Sequence, residues 1–366
     1  GADLDEILAV TFTKKAAAQM KDKLRSALVA RIDGAEAEVK ARLKVQLSKI
    51  SSADISTIHS FCARLIRTYF YALDVDAGFD IISADDAVAR DLKSRAMDAL
   101  FDRLYEEDDN SFKLLLSCFV KKRSDSSVRR LTLEAYNAVR SSAYYEILLE
   151  NTGNLYSQNG FKLVCEEYNK ILAEGFNRLI CAVQAFKSSF PAGKNAEAYN
   201  TIFKEMLASL TACANGALFD VRPPLTVTKK PVSRAADSAE DKAASDCFKA
   251  FRDEVAKKYK SLCADLESEE AEYNYFLQSG GVAVAFSKLL LQFDREYAEV
   301  KRDENKLDYN DLEHLTLKLL ADEAVVNEIN SLYKYIFVDE YQDVNPVQEE
   351  IISALRGEVF LVGDVK

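Results

Sequence analysis

The 366 residues carry 48 Lys and Arg against 59 Asp and Glu, a formal net charge of −11, with 48% hydrophobic and 29% charged residues. That length holds two domains, or one domain with a large insertion; no apolar stretch reads as long enough to span a bilayer, and the start does not read as a signal peptide. Seven scattered cysteines with no Cys-x-x-Cys pair, beside only two histidines, argue against a structural zinc site and for reduced, mostly buried thiols in a cytosolic protein.

The predicted elements begin with a strand, a turn and a helix. Ile7-Leu8-Ala9-Val10 is a short apolar run, Thr11-Phe12-Thr13 follows, and a helix starts at Lys14 with Thr13 as its N-cap. Hydroxyls, an aromatic ring, two lysines and a helix N-terminus at one strand end suit phosphate and base contacts. A capped surface helix is the competing reading. A second strand, Asp54 to Ile58, leads into His59-Ser60-Phe61 and a helix over Cys62–Tyr71. His59 reads either as a satisfied structural histidine or as a ligand-facing one. Strands alternating with helices predict a parallel α/β sheet. Residues 1–75 hold twelve Lys and Arg against nine Asp and Glu, so a local basic face can meet phosphates although the whole chain is acidic.

From about residue 83 the pattern is nearly continuous helix. Ser83 to Asp86 reads as a capping box for a helix through Tyr105. Apolar residues at Phe161, Val164, Cys165, Tyr168, Ile171, Leu172, Phe176, Leu179, Ile180, Val183 and Phe186 predict an amphipathic helix facing a core. A turn-rich stretch over Val221 to Pro231 interrupts the helices. A charged helix from about Asp237 to Phe276 is expected to end at Gly280-Gly281, before another from Val284 to about Val300.

The tail restores the α/β pattern. Leu307-Asp308-Tyr309-Asn310-Asp311-Leu312 opens a helix through Leu320. Tyr335-Ile336-Phe337-Val338 then delivers Asp339-Glu340, with Gln342 and Asp343 close behind. An apolar run bounded by a polar cluster reads as an inner strand, and open α/β sheets place ligands at the carboxyl ends of such strands. Adjacent acids at that position suit Mg²⁺ and a water beside the γ-phosphate of ATP. A helix with Pro346 in its first turn follows, then Val359 to Asp364 as a third strand end, with Gly363 for tight backbone approach.

These blocks, in this order, resemble the superfamily 1 helicases of the UvrD/Rep type. Ile7 to Ala17 resembles motif Ia, Thr57 to Phe61 motif Ib, Val338 to Asp343 motif II, and Val362-Gly363-Asp364 the start of motif III. Within that group the chain is most similar to the AddA branch of helicase-nuclease subunits. The resemblance implies a P-loop NTPase, RecA-like parallel sheet with a large all-α insertion, predominantly helical overall. Its division would be 1–82 and 303–366 for the RecA-like domain and 83–302 for the helical insertion.

It further implies ATP-driven 3′-to-5′ movement on DNA in double-strand break repair, with ATP and Mg²⁺ as cofactors. Expected partners are single- and double-stranded DNA and an AddB-like subunit; no membrane is expected, and the place is the bacterial cytoplasm. Carried over residue by residue, Asp339 holds Mg²⁺ through water, Glu340 activates the attacking water, Gln342 senses the γ-phosphate and Asp364 belongs to the coupling motif. Thr11, Phe12, Thr13, Lys14, Thr57, His59, Ser60 and Phe61 line the DNA track.

Departures from the family pattern set further expectations. No Gly-x-x-x-x-Gly-Lys-Thr/Ser occurs in the sequence, so the Walker A lysine is absent and the chain alone is expected not to hydrolyse ATP. Gly1 in place of an initiating Met reads as the scar of a cleaved tag on an excised piece. A missing P-loop strand, placed beside the Asp339 strand, is expected to leave a gap or an unpaired edge in the sheet. Two alternatives stay open. One is a non-enzymatic DNA-binding or partner-docking helical module using Lys121-Lys122-Arg123 and Arg129-Arg130. The other is a UvrD/RecB-type helicase without a nuclease.

Overall fold

The computed structural model describes residues 2–83, 86–120, 124–190, 196–220, 225, 239–263 and 268–364. Strand β1 (Ile7–Thr11) leads into helices α1 (Lys14–Ile32) and α2 (Ala37–Lys49); β2 (Asp54–Thr57) leads into α3 (Ile58–Thr68), and β3 (Asp80–Ile82) follows. Then come α4 (Ala87–Glu106), α5 (Asn110–Phe119), α6 (Ser126–Val139), α7 (Tyr145–Glu150), α8 (Thr152–Leu155), α9 (Gln158–Ser189), α10 (Ala196–Asn215), α11 (Ala239–Leu262) and α12 (Glu269–Asp303). The tail is β4 (Lys306–Asp308), α13 (Tyr309–Leu320), α14 (Glu323–Leu332), β5 (Tyr335–Val338), α15 (Pro346–Ala354) and β6 (Glu358–Leu361). Two compact units result, Gly1–Glu150 with Ala285–Lys366, and Asn151–Val284. Their boundaries lie inside the helical stretch that the sequence runs as one from 83 to 302.

In the first unit the main sheet has the order β2-β1-β5-β6, parallel throughout. Its register sets Ala9 opposite both Ile55 and Phe337, and Phe337 opposite Phe360. The gap expected beside the Asp339 strand does not occur, because β5 is paired with β1 on one side and β6 on the other. Among the described residues the sheet ends at β2 on one side and at β6 on the other. A two-residue period sends alternate side chains to opposite faces. Leu8, Val10, Ile336 and Val338 meet Ile58, Phe61, Leu312, Ile329 and Ile351 in the main core. Ala9 faces the other way, into a smaller cluster with Leu4, Ile50 and Ile55 under α1 and α2. That second face is left open over β5 and β6. On it Phe337 and Phe360 are exposed and their rings stack at 4.9 Å, while Val359 and Leu361, in register with Ile336 and Val338 on the other face, are exposed as well. The strand read as fully inner is thus inner by pairing but covered on one face only.

Several local expectations change. Gly280-Gly281 does not end a helix, since α12 runs through both. A Cβ at Gly280 would stand 2.6 Å from the Tyr156 ring, so packing within the second unit outweighs the roughly 1 kcal/mol that glycine costs a helix interior. Helix α12 also overturns the reading that no stretch is long enough to span a bilayer. By length and composition it could cross one, yet Leu289, Leu290, Phe293 and Tyr297 on it are buried side chains. On α9 the core face is Phe161, Leu172, Phe176, Leu179 and Val183, while Val164 and Ile171 are exposed. Ser83 N–H donates to the Asp86 carboxylate at 2.7 Å before α4; residues 84 and 85 lie outside the described residues, as do 221–224 and 226–231 of the turn-rich stretch. The thiols form no disulfide but are not mostly buried: Cys62 and Cys213 are, whereas Cys118, Cys181 and Cys247 are exposed.

Helix α13 is anchored by buried charge. Asp308 is its N-cap and forms a reciprocal capping box with Asp311. Buried Lys301, from α12, donates to Asp308 at 3.0 Å and also to Asp311. Buried Arg140, just past α6, donates to Asp311 at 3.0 Å and to the Tyr145 hydroxyl at 2.6 Å, and lies 3.6 Å from Asp294. Burial pushes the Asp308 carboxyl upward, but the Lys301 charge, the Asp311 N–H and Arg140 outweigh it and hold the group below the usual carboxylate value. Removing one partner from such a cluster strands the others in a dry interior. An Arg140→Ala change is expected to cost about 3–5 kcal/mol, read as a fall in the denaturant midpoint of the chain, and a loss under ~1 kcal/mol would contradict this account.

Candidate functional site

Four segments meet at the carboxyl ends of β1, β2, β5 and β6. The Asp339 N–H donates to Val10 C=O at 3.0 Å, so the first acid is fixed by the neighbouring strand. Glu340 adopts a left-handed conformation, φ 55° and ψ 42°, which costs a non-glycine residue on the order of 1 kcal/mol. The turn it makes starts the short 3₁₀ segment Tyr341–Asp343 at once. Tyr341 N–H then donates to Val362 C=O at 3.0 Å, which ties the turn to the end of β6. The Gln342 amide donates to the Glu340 carboxylate and accepts from Asp364 N–H at 3.1 Å. A Cβ at Gly363 would stand 2.5 Å from Gln342 Oε1 and 3.1 Å from Tyr341 N, so a side chain there would displace the Gln342 amide from its place between the two segments. Asn345 then caps α15, with Pro346 in the first turn.

Chemically, this arrangement offers a half-buried acid, an exposed acid beside it and an amide that bridges to the next strand end. Among the described residues no group of three His, Cys, Asp or Glu forms a cage for a metal. A single strand-end carboxylate fits Mg²⁺, which keeps several waters and takes its other ligands from phosphate oxygens.

The residues expected to line a nucleic-acid track separate into surface and interior. Phe12 is 55% exposed, and Thr13 and Lys14 are exposed beside it. Thr13 caps α1 by accepting from Ala16 N–H at 3.1 Å. Thr11 is buried and donates to Thr13 C=O at 3.0 Å. Thr57 is also buried, capping α3 through Ser60 N–H at 3.2 Å with its hydroxyl 2.8 Å from that of half-buried Ser60. Phe61, at 1% exposed, lies in the main core against the edge of Tyr333 and offers no ring face to a base. His59 is half-buried; its Nε2 is 2.9 Å from Glu313 and its ring 4.6 Å from that of Tyr309. Thr11, Phe12, Ile58, Asp339, Glu340 and Gln348 share one small crevice. In the expected basic patch, Arg129 is paired with Asp125 and Asp98 and Arg130 with Glu134; residues 121–123 lie outside the described residues.

Sequence reasoning missed Glu313. It is 1% exposed, yet it holds hydrogen bonds from His59, from Gln348 Nε2 at 2.6 Å and from Asn345 Nδ2 at 3.1 Å. His59 belongs to the Ib-like segment, and Asn345 and Gln348 to the start of α15, just past the II-like one. The only signal in the sequence is an acid on the inward face of an amphipathic helix, a position where an acid is rare without partners.

The family model of the UvrD/REP helicase N-terminal domain matches residues 1–366. The chain is 29% identical over its whole length to the A subunit of the ATP-dependent helicase/nuclease of Pediococcus pentosaceus and covers 31% of that protein. It is 30% identical over 96% of its length to the protein of the same description from Clostridium botulinum strain Hall, covering 28% of it, and 29% identical over its whole length to that from Alkaliphilus oremlandii. The chain spans about a third of the length of the curated relatives it matches.

The Glu313 geometry carries a pH dependence. Burial pushes its carboxyl upward, but hydrogen bonds from His59, Gln348 and Asn345 outweigh this and hold it below the ordinary value of 4.5. A carboxyl depressed on folding stabilises the fold above its unfolded value and loses that contribution as pH falls through the folded one. The stability gap between the wild type and a Glu313→Gln variant is therefore expected to be full near pH 6 and to narrow below about pH 4.5. Denaturant midpoints at several pH values test this; a gap independent of pH contradicts it.

Proposed function

The chain belongs to the UvrD/REP helicase N-terminal domain family, and from that premise we propose that it is the first motor-domain portion of an AddA-type helicase-nuclease. In this reading the whole protein uses ATP to move 3′-to-5′ on DNA during double-strand break repair and recombination, in the bacterial cytoplasm, beside an AddB-like partner. The observation that carries the reading is the bridge made by Gln342. One amide touches the Glu340 carboxylate and the Asp364 N–H, so a change at the acid is felt at the next strand end. The similarity of the chain to A subunits of helicase/nucleases supports the nuclease branch.

The roles follow from the chemistry of each position. Asp339 would hold Mg²⁺ through water, and that ion, when bound, neutralises charge on the ATP phosphates. Glu340 orients and deprotonates the attacking water, its carboxylate exposed toward the ligand side. Gln342 senses the γ-phosphate and passes its presence to Asp364 through the peptide bond between Gly363 and Asp364. On the DNA side, the exposed Phe12 ring stacks on a base, while Thr13, Lys14, Ser60 and His59 meet phosphates. Thr57 acts from behind as the cap that aims the α3 N-terminus, Thr11 holds the Thr13 carbonyl behind the α1 N-terminus, and Phe61 supports them from the core.

Two measurements test this. In the full-length protein, Glu340→Gln is expected to lower kcat for ATP by about 10²–10⁴-fold while ATP binding is retained; an unchanged kcat rejects the assignment. The 366-residue chain alone, which contains no Walker A sequence, is expected to show no DNA-stimulated ATP hydrolysis. Clear stimulation of the purified chain by single-stranded DNA would overturn that.

A further inference from the structure

We propose that Glu313 is a positioning residue that couples the DNA-facing His59 to the nucleotide-facing segment from Asp339 to Gln348. This rests on the functional reading above, which makes one side of Glu313 a DNA contact and the other an ATP contact.

Glu313 is a buried carboxylate whose hydrogen bonds come from His59, Asn345 and Gln348, not from Lys or Arg. Its Oε1 is shared by His59 at 2.9 Å and Gln348 at 2.6 Å. The Asn345 amide spans both oxygens, at 3.1 and 3.3 Å. A buried carboxylate cannot give up a donor without compensation, because water does not reach it to replace the bond. A pull on one donor is therefore passed to the others.

Each donor has a second attachment that gives the pull a direction. His59 retains 28% side-chain exposure, so a phosphate can reach the ring, and Tyr309 packs on it one helical turn before Glu313. Gln348 lines the crevice shared with Asp339 and Glu340. Asn345 is the N-cap of α15 and accepts from Gln348 N–H at 2.8 Å. The segment bearing the two acids is thus fastened at its start by backbone bonds to β1 and to the end of β6, and at its end by Glu313. When DNA takes up His59, the Glu313 carboxylate leans on Asn345 and Gln348, and the acids are set for ATP. By reciprocity, ATP at the acids alters the hold on His59.

The test uses the full-length protein and the ratio of ATP turnover with saturating single-stranded DNA to turnover without it. Glu313→Gln and Gln348→Met are each expected to lower that ratio about tenfold, and the double variant to be no worse than the more severe single one. A residue that only packs would lower both rates in proportion and leave the ratio unchanged. A ratio within about twofold of wild type in the Gln348→Met protein overturns the proposal, and this variant decides the matter even where Glu313→Gln fails to fold. A wild-type protein with no stimulation by DNA rejects the functional reading itself, an outcome distinct from a normal wild type with an unaffected variant.

Discussion

The arrangement of the first unit depends on the buried ion cluster at the start of α13. Lys301 reaches Asp308 and Asp311, and Arg140 reaches Asp311 with Asp294 nearby. The two acids also close the capping box that starts the helix. Desolvating so many charges is costly, and the cluster is stable only while every partner is present. In return, the axis and rotation of α13 are specified by charge geometry, which apolar packing alone fixes less sharply. Leu312 and Leu319 then enter the main core, while Tyr309 and Glu313 face His59 and the start of α15. The Leu-Asp-Tyr-Asn-Asp-Leu block of the sequence is thus architectural, and its acids sit away from the strand-end acids.

At the strand ends, order is obtained differently. Glu340 occupies a backbone region that disfavours side chains, and the segment around it is held by single hydrogen bonds to Val10 and Val362. Gly363 answers that constraint from the opposite side, since any Cβ there would meet Gln342 and the Tyr341 amide. One position tolerates strain so that its carboxylate can face outward; the other gives up its side chain so that the amide of Gln342 can reach across. Sites built on such compensation are specified by the segment pair and not by either segment alone.

What the sequence made legible is what short-range chemistry encodes. Thr13 as a cap, Pro346 in a first turn, the acids after Val338 and the closeness required at Gly363 all follow from residues within a few positions of one another, whereas the helix expected from Cys62 starts at Ile58 with Thr57 as its cap. The parallel sheet was legible from alternating strands and helices, but the neighbours of β5 were not, because register depends on pairing across more than three hundred residues of chain. Phe61 shows the limit for side-chain direction. At the first turn of α3, whether a ring points to solvent or to Tyr333 is set by a segment 272 residues further on. Glu313 was hard to see for the same reason: its donors are 254, 35 and 32 residues away, and only its place on the inward face of the helix sets it apart from other helix acids. Gly280-Gly281 misled because the breaker tendency of glycine is local, whereas the contact with Tyr156 is not.

The open edge at β6 sets a constraint on the life of the chain as well as on its shape. Val359, Phe360 and Leu361 offer apolar side chains together with backbone groups that, among the described residues, have a strand partner on the β5 side only, which is the template extended chains join most readily. Such an edge is harmless once occupied and hazardous while bare. An edge of that kind accepts any strand of matching length and pattern, whichever chain supplies it, and the depth of the hydrophobic core does not change that.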